Sequence, residues 1–137
     1  MAKHVVARAD EIPVGQRKVV TVRGRPIVIF NVAGDFFALY DRCPHAGGPL
    51  SSGKITGLAE ADQPGRVRYT RRGEIVRCPW HGWEFDIKTG RSWCDPSRLR
   101  VRAYNTSVEP GTRLVEGPYV AETFEVTVEG EYVVVEV

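Results

Sequence analysis

Apolar positions in this chain fall into short β-branched runs cut by glycine and proline. No segment before Cys43 sustains the 3.6-residue spacing of a long helix. Val5-Val6 opens a short strand, and Asp10 to Gly15 reads as loop and turn. Lys18 to Val22 is a strand broken by Gly24, and Pro26 to Val32 is a second. Ala33-Gly34-Asp35 is a tight hairpin turn that returns the chain along Phe36 to Tyr40.

Further on, Leu50 to Gly65 is rich in Gly, Ser and acidic residues and reads as an excursion, with one short helical turn around Leu58–Ala61. Arg66 to Thr70 and Glu74 to Arg77, joined by Arg71-Arg72-Gly73, read as a hairpin. Glu84 to Ile87 and Leu99 to Tyr104 are strands, and Val108 to Thr123, with Pro110-Gly111 and Gly117-Pro118, reads as an insertion. Phe124 to Val128 and Tyr132 to Val137 form a closing hairpin whose Glu/Val alternation puts one face in the core and one in water. The pattern predicts an all-β fold of small antiparallel sheets.

At 137 residues the length prior gives one domain, 1–137, with insertions at about 51–65 and 108–123. Apolar content of 42% and charged content of 26% are ordinary for a globular protein. No run of 18 apolar residues exists, so no transmembrane helix is expected. Met1-Ala2-Lys3-His4 opens no apolar signal segment, and the expected compartment is the cytoplasm. The net charge of +2 hides a division. Residues 66–102 carry ten Lys and Arg against four Asp and Glu, whereas 103–137 carry one Arg against seven Glu. A nucleic acid could meet such an arginine-rich stretch, and so could a redox partner with an acidic face; the plainer alternative is a set of solvated strand faces.

The candidate chemistry lies in two runs, Cys43-Pro44-His45-Ala46-Gly47-Gly48-Pro49-Leu50 and Cys78-Pro79-Trp80-His81-Gly82-Trp83-Glu84-Phe85. Each supplies one thiol and one imidazole. Cys43, His45, Cys78 and His81 together could close a tetrahedral zinc site, or hold a [2Fe–2S] cluster with Cys on one iron and His on the other. Zinc fingers usually pair Cys with Cys and His with His, while each run here is mixed, Cys-x-His and Cys-x2-His. Two loops that each reach both irons give that pattern. A zinc-stabilised interaction module without redox activity remains the alternative. Cys94 is left over, an inert buried thiol or a redox group, so no disulfide framework is expected.

The two runs resemble the cluster-binding boxes of Rieske iron–sulfur proteins. The likeness rests on the Cys/His pairs together with Pro44, Pro79, Gly47-Gly48, Pro49-Leu50, Gly82 and Phe85, and extends more weakly from about His4 to Tyr104 and again through the last strands. It implies a [2Fe–2S] cofactor on Cys43, His45, Cys78 and His81. Two ferric ions, two sulfides, two thiolates and two neutral imidazoles sum to zero charge, and one electron takes the site only to −1, which suits electron transfer at a raised potential. Gly47, Gly48 and Gly82 would let backbone amides approach the sulfurs. Leu50, Trp80 and Trp83 are candidates for the apolar shell, with plain core packing as the alternative for the two tryptophans. Asp95-Pro96 resembles a proline loop that covers the cluster.

Respiratory members of the family carry an extra Cys in each box, joined as a disulfide; those places look like Gly48 and Trp80 here. The same members place Ser and Tyr hydroxyls near the cluster where this chain has Trp83 and Phe85. Both departures imply the soluble ferredoxins of oxygenase systems. Such a protein carries one electron from a flavin-dependent NAD(P)H reductase to a terminal oxygenase, with neither membrane nor nucleic acid as partner. The alternative within the family is a small Rieske subunit of a larger oxidoreductase. Oxygenases that resemble this chain hold a catalytic iron by two His and a carboxylate on a second domain. With His45 and His81 committed only His4 remains, so no complete catalytic site is expected here.

Overall fold

The computed structural model describes residues 2–45, 47–93, 99–114 and 126–137, with backbone alone at Asp62. Among the described residues there are ten strands: β1 (Lys3–Arg8), β2 (Arg17–Val22), β3 (Arg25–Val32), β4 (Asp35–Tyr40), β5 (Lys54–Gln63), β6 (Arg66–Arg77), β7 (Glu84–Asp86), β8 (Ala103–Tyr104), β9 (Thr106–Pro110) and β10 (Glu131–Glu136). One turn of helix, α1, covers Gly111–Leu114. Three small antiparallel sheets result, in the orders β1-β10-β9, β2-β3-β4-β8 and β5-β6-β7. The all-β expectation holds.

The meander is the spine. Its turns, Arg23-Gly24 and Ala33-Gly34, place both central residues at positive φ (52° and 74°; 53° and 97°), the twist that two-residue hairpins favour. Buried Asn31 fixes the second turn: its Oδ1 accepts from the Gly34 N–H (2.9 Å), and its Nδ2 donates to the Ile12 carbonyl (2.7 Å). Strand parity then sorts the core. Ile27, Ile29 and Ala38 face one cluster with Ala7, Val133 and Val135, while Val28, Phe30 and Leu39 face another that contains Cys43, Leu50, Cys78 and Phe85. One sheet thus supports a structural core on one side and the two cysteine loops on the other.

Two expectations about strands are corrected. The closing hairpin does not form as expected: β10 lies between β1 and β9, pairing Val135 with His4 and Thr106, and no strand covers 126–130. Phe124 and Glu125 lie outside the described residues. Tyr132, Val133, Val134 and Val135 are all buried because β10 is central and has apolar neighbours on both faces, Val133 and Val135 in one cluster and Tyr132 and Val134 in another. Of the second expected insertion, Val108–Pro110 belongs to β9 and Gly111–Leu114 to α1; residues 115–123 lie outside the described residues.

The other correction concerns 54–77. The helical turn around Leu58–Ala61 is strand, and Arg66 to Arg77 is one strand rather than two. Chain reversal occurs at Pro64-Gly65, so that Ala59 faces Tyr69 and Ala61 faces Val67. Cross-strand pairing with β-branched and aromatic residues outweighs the modest helix propensity of Leu-Ala-Glu-Ala. Arg71-Arg72-Gly73 is a bulge inside β6: residues 71–74 face the single Gly57, with Arg71 and Gly73 at φ 50° and 81°. Arg71 anchors the bulge by donating to Asp86 (2.9 Å) and Glu74 (3.1 Å). The Asp86 carboxylate beside it holds the Arg71 guanidinium above its usual pKa although burial works against the charge.

Beyond the bulge the ribbon is two-stranded and exposed on both faces from Ala59 to Tyr69, Val67 and Tyr69 included, as described at every residue but Asp62. A lone two-stranded ribbon adds little stability. Replacing residues 58–70 by a two-residue turn is therefore expected to leave cluster content unchanged. It should shift Tm by no more than about 4 °C, the effect of about 1 kcal/mol in a domain of this size. Calorimetry and iron analysis check this, and a collapse of either value would make the ribbon part of the structural core.

Candidate metal centre

The two boxes fold into the same closed loop. The Cys43 N–H donates to the Gly48 carbonyl (2.7 Å) and the Gly47 N–H to the Cys43 carbonyl (2.7 Å). In the second box the Cys78 N–H donates to the Trp83 carbonyl (2.7 Å) and the Gly82 N–H to the Cys78 carbonyl (3.0 Å). Each loop closes four and five residues after its cysteine, and the residue at the fourth place must turn through positive φ. Gly47 (80°) and Gly82 (72°) occupy those places. Within the shared frame His45 sits two residues after its cysteine and His81 three.

The loops then meet. A Cβ built on Gly48 would lie 3.1 Å from Cys78 Sγ and 3.0 Å from Cγ and Cδ2 of Trp80, so the first box rests directly on the second. His45 and His81 come together edge to face, ring centroids 4.9 Å apart at 87°. Cys43 and Cys78 are buried thiols, not half-cystines, in one apolar cluster with Leu50 and Phe85. Both histidines are exposed. The four candidate ligands divide into a buried sulfur end and an exposed imidazole end.

Trp83 stacks on His45, centroids 4.6 Å apart and 23° from parallel, and also packs against the apolar cluster that holds the two cysteines. Trp80 is 58% exposed and packs over Gly48. The pair resembling the family's disulfide positions is thus in contact without a bond. Gly48→Ala is expected to push Trp80 and Cys78 apart and so to speed cluster loss severalfold, since a Cβ contact of 3.0 Å forces its neighbours to move. The decay of visible absorbance in chelator measures this, and an unchanged rate would show that the contact is slack. Asp95-Pro96 and Cys94 lie outside the described residues.

Sequence reasoning missed the brace of the first box. Asp41 is buried, and its carboxylate accepts from the Ser51 N–H (2.6 Å) and hydroxyl (2.7 Å). It thereby ties the entry of the Cys43 loop to the turn after Leu50. An aspartate two residues before a cysteine and a serine just past Pro-Leu were the available signal. His4, the third histidine, is buried in β1 opposite Val135, far in topology from the loops. The basic block is not uniform: Arg71, Arg77 and Lys88 are taken up by Glu74, Asp86 and Glu84, while Arg66, Arg72, Arg91, Arg100 and Arg102 are exposed.

The model of the Rieske [2Fe-2S] domain matches residues 2–105. The chain belongs to the Rieske [2Fe–2S] family. The 3-phenylpropionate/cinnamic acid dioxygenase ferredoxin subunit of Escherichia coli (strain K12) is 32% identical over 92 residues, which is 67% of this chain and 73% of that one. The ferredoxin component of the naphthalene 1,2-dioxygenase system of Pseudomonas aeruginosa is 28% identical over 99 residues, 72% of this chain and 80% of its own. Among solved structures, the ferredoxin of carbazole 1,9a-dioxygenase from Nocardioides aromaticivorans IC177 aligns with a TM-score of 0.59 at 25% identity, covering 80% of this chain and 91% of that one. The cofactor of this Rieske protein is a [2Fe–2S] cluster, and its chemistry is one-electron transfer. The donor set fits that group: two thiols in an apolar pocket and two imidazoles at the surface serve a cluster with unlike irons. No helix among the described residues is long and apolar enough to cross a membrane.

Proposed function

We infer that Cys43 and Cys78 hold the inner iron and His45 and His81 the outer one. In this reading the protein carries single electrons in the cytoplasm from a flavin-dependent NAD(P)H reductase to a terminal oxygenase. The carrying observation is the polarity of the site, thiols buried and imidazoles exposed at the junction of two matched loops. When bound, the cluster supplies one reversible electron. The chain supplies the rest. His45 and His81 present the site to solvent, Trp83 fixes the plane of His45, and Leu50 and Phe85 keep water from the sulfur end. The oxygenase destination is supported by relatives named as ferredoxins of dioxygenase systems. Purified protein should contain two iron and two acid-labile sulfide per chain and show a Rieske EPR signal on reduction. A colourless zinc protein would instead establish the interaction module.

A further inference from the structure

A second polar site lies on the opposite face of the meander sheet. Arg25, Tyr40, Arg102 and Tyr104 line a cleft of about 200 Å³. Strand register puts them on one face. Tyr40 pairs with Ile27, two residues from Arg25, and donates its N–H to the Arg102 carbonyl (2.9 Å); Ala38, two residues from Tyr40, pairs with Tyr104. Since side chains two apart share a face, Arg25 on β3, Tyr40 on β4 and Arg102 just before β8 stand on one face, Arg25 offset by two residues from Tyr40. Two strands at about 4.8 Å and an offset of two residues put the two arginine backbones roughly 12 Å apart, with the Tyr40 phenol on the strand between them.

Among the described residues the charges on this face meet none of opposite sign. Among the described residues no carboxylate is within ion-pair distance of Arg25 or Arg102; Arg102 lies instead over the Tyr104 ring, 5.2 Å from its centroid. Of the charges nearest in sequence and pairing, Arg23 and Arg42 are exposed, Asp41 is buried and committed to Ser51, and Glu136, bonded to Asn105, is paired with Lys3. Two guanidinium groups flanking a phenol form a ready seat for a carboxylate, which could take charge-assisted bonds from both sides. The cleft is open, with both arginines exposed and Tyr40 half-buried, so it cannot enclose most of a small molecule as ligand sites do. Its composition is instead that of an interface anchor, where Arg and Tyr predominate.

We propose that this Arg25–Tyr40–Arg102–Tyr104 cleft receives an acidic side chain from the protein that exchanges electrons with this one. The cleft belongs to the strand that runs into the first box, since Tyr40 is three residues from Cys43. It therefore sits at the end of the sheet from which the chain enters the first box, on the face turned away from the two loops, and a partner anchored there leaves the histidines uncovered. That the partner is a redox protein rests on the electron-carrier reading above.

The test uses the cluster-loaded full chain with tyrosine-selective isotope labels and a hexaglutamate peptide as probe. Addition of peptide should shift the ring resonances of Tyr40 and Tyr104 saturably. Arg25→Gln with Arg102→Gln should weaken binding at least tenfold, while Arg66→Gln with Arg72→Gln, which removes the same charge from the ribbon, should change it less than twofold. The visible spectrum and potential of both double variants should match the unsubstituted protein. Equal weakening by both pairs, or tyrosine rings that do not respond, would overturn the proposal in favour of diffuse attraction. Benzoate that shifts the same rings and is not displaced by the peptide would give the cleft to a small acid and overturn it too. A protein without iron would refute the electron-carrier reading but not the peptide result, so the two failures are distinguishable.

Discussion

His81→Ala and Cys43→Ser are each expected to abolish the cluster, with more than about nine-tenths of the iron lost on purification, because binding and local folding are coupled. The geometry explains why neither loss can be absorbed. The four side chains come from two loops, one of each kind from each, and the loops touch at Gly48 and Cys78 Sγ. On the proposed assignment, taking a ligand from one loop removes the common attachment that holds both. Cys43→Ser also places a more polar hydroxyl in the apolar cluster of Leu50, Val76 and Phe85. Damage should stop at the meander sheet, because the opposite core of Ile27, Ile29, Val133 and Val135 contains no ligand. Far-UV circular dichroism should thus retain much of its β signal while iron and EPR disappear. Cys94→Ser should keep a normal cluster. His4→Ala should also keep it, with a lowered Tm, because it empties a buried position in β1. A His81→Ala protein with full iron and the same EPR signal would end the ligand assignment.

The sequence made this centre legible because its requirements are local and chemically rare. A thiol and an imidazole in a loop that must close on itself call for glycine at one place, and Gly47 and Gly82 both stand four residues after the cysteine. The meander was equally readable, since each turn is settled by two adjacent residues. What escaped was non-local. Nothing in Leu58-Ala59-Glu60-Ala61 announces a strand until Thr70, Tyr69 and Val67 are laid against it. β10 carries a run of valines that suits an amphipathic edge as well as a central strand, and only its pairing with both β1 and β9 decides. The Asp41–Ser51 brace and the Trp83–His45 stack depend on how loops meet, which spacing does not encode. The arginine-rich block misled in the same way: adjacency in sequence suggested one patch, but ion pairs with Glu74, Asp86 and Glu84 take up part of it.

The reduction potential should fall near the low end of the Rieske range of about −150 to +300 mV. Hydrogen bonds to the sulfurs are one determinant, since an O–H donated there stabilises the added negative charge of the reduced state. At the two places where high-potential members resembling this chain carry hydroxyls stand Trp83 and Phe85. The Trp83 ring is stacked on His45 and carries no O–H to donate. Phe85 is fully buried in the cluster that contains both Cys43 and Cys78, and it has no donor at all. A low potential suits acceptance of electrons from a reduced flavin. Phe85→Tyr adds a single oxygen to this packed ring, and two outcomes are distinguishable. If the hydroxyl reaches a cysteine sulfur, the potential rises and the Tm holds. If it does not, an unpaired buried hydroxyl costs about 1–3 kcal/mol and the potential stays where it was. With Phe85 beside the thiol end, the first outcome is expected. Protein-film voltammetry and a melting curve on the two proteins separate them. An unsubstituted protein poised above about +100 mV, in the upper half of the range, would instead assign it a high-potential role and overturn the ferredoxin reading.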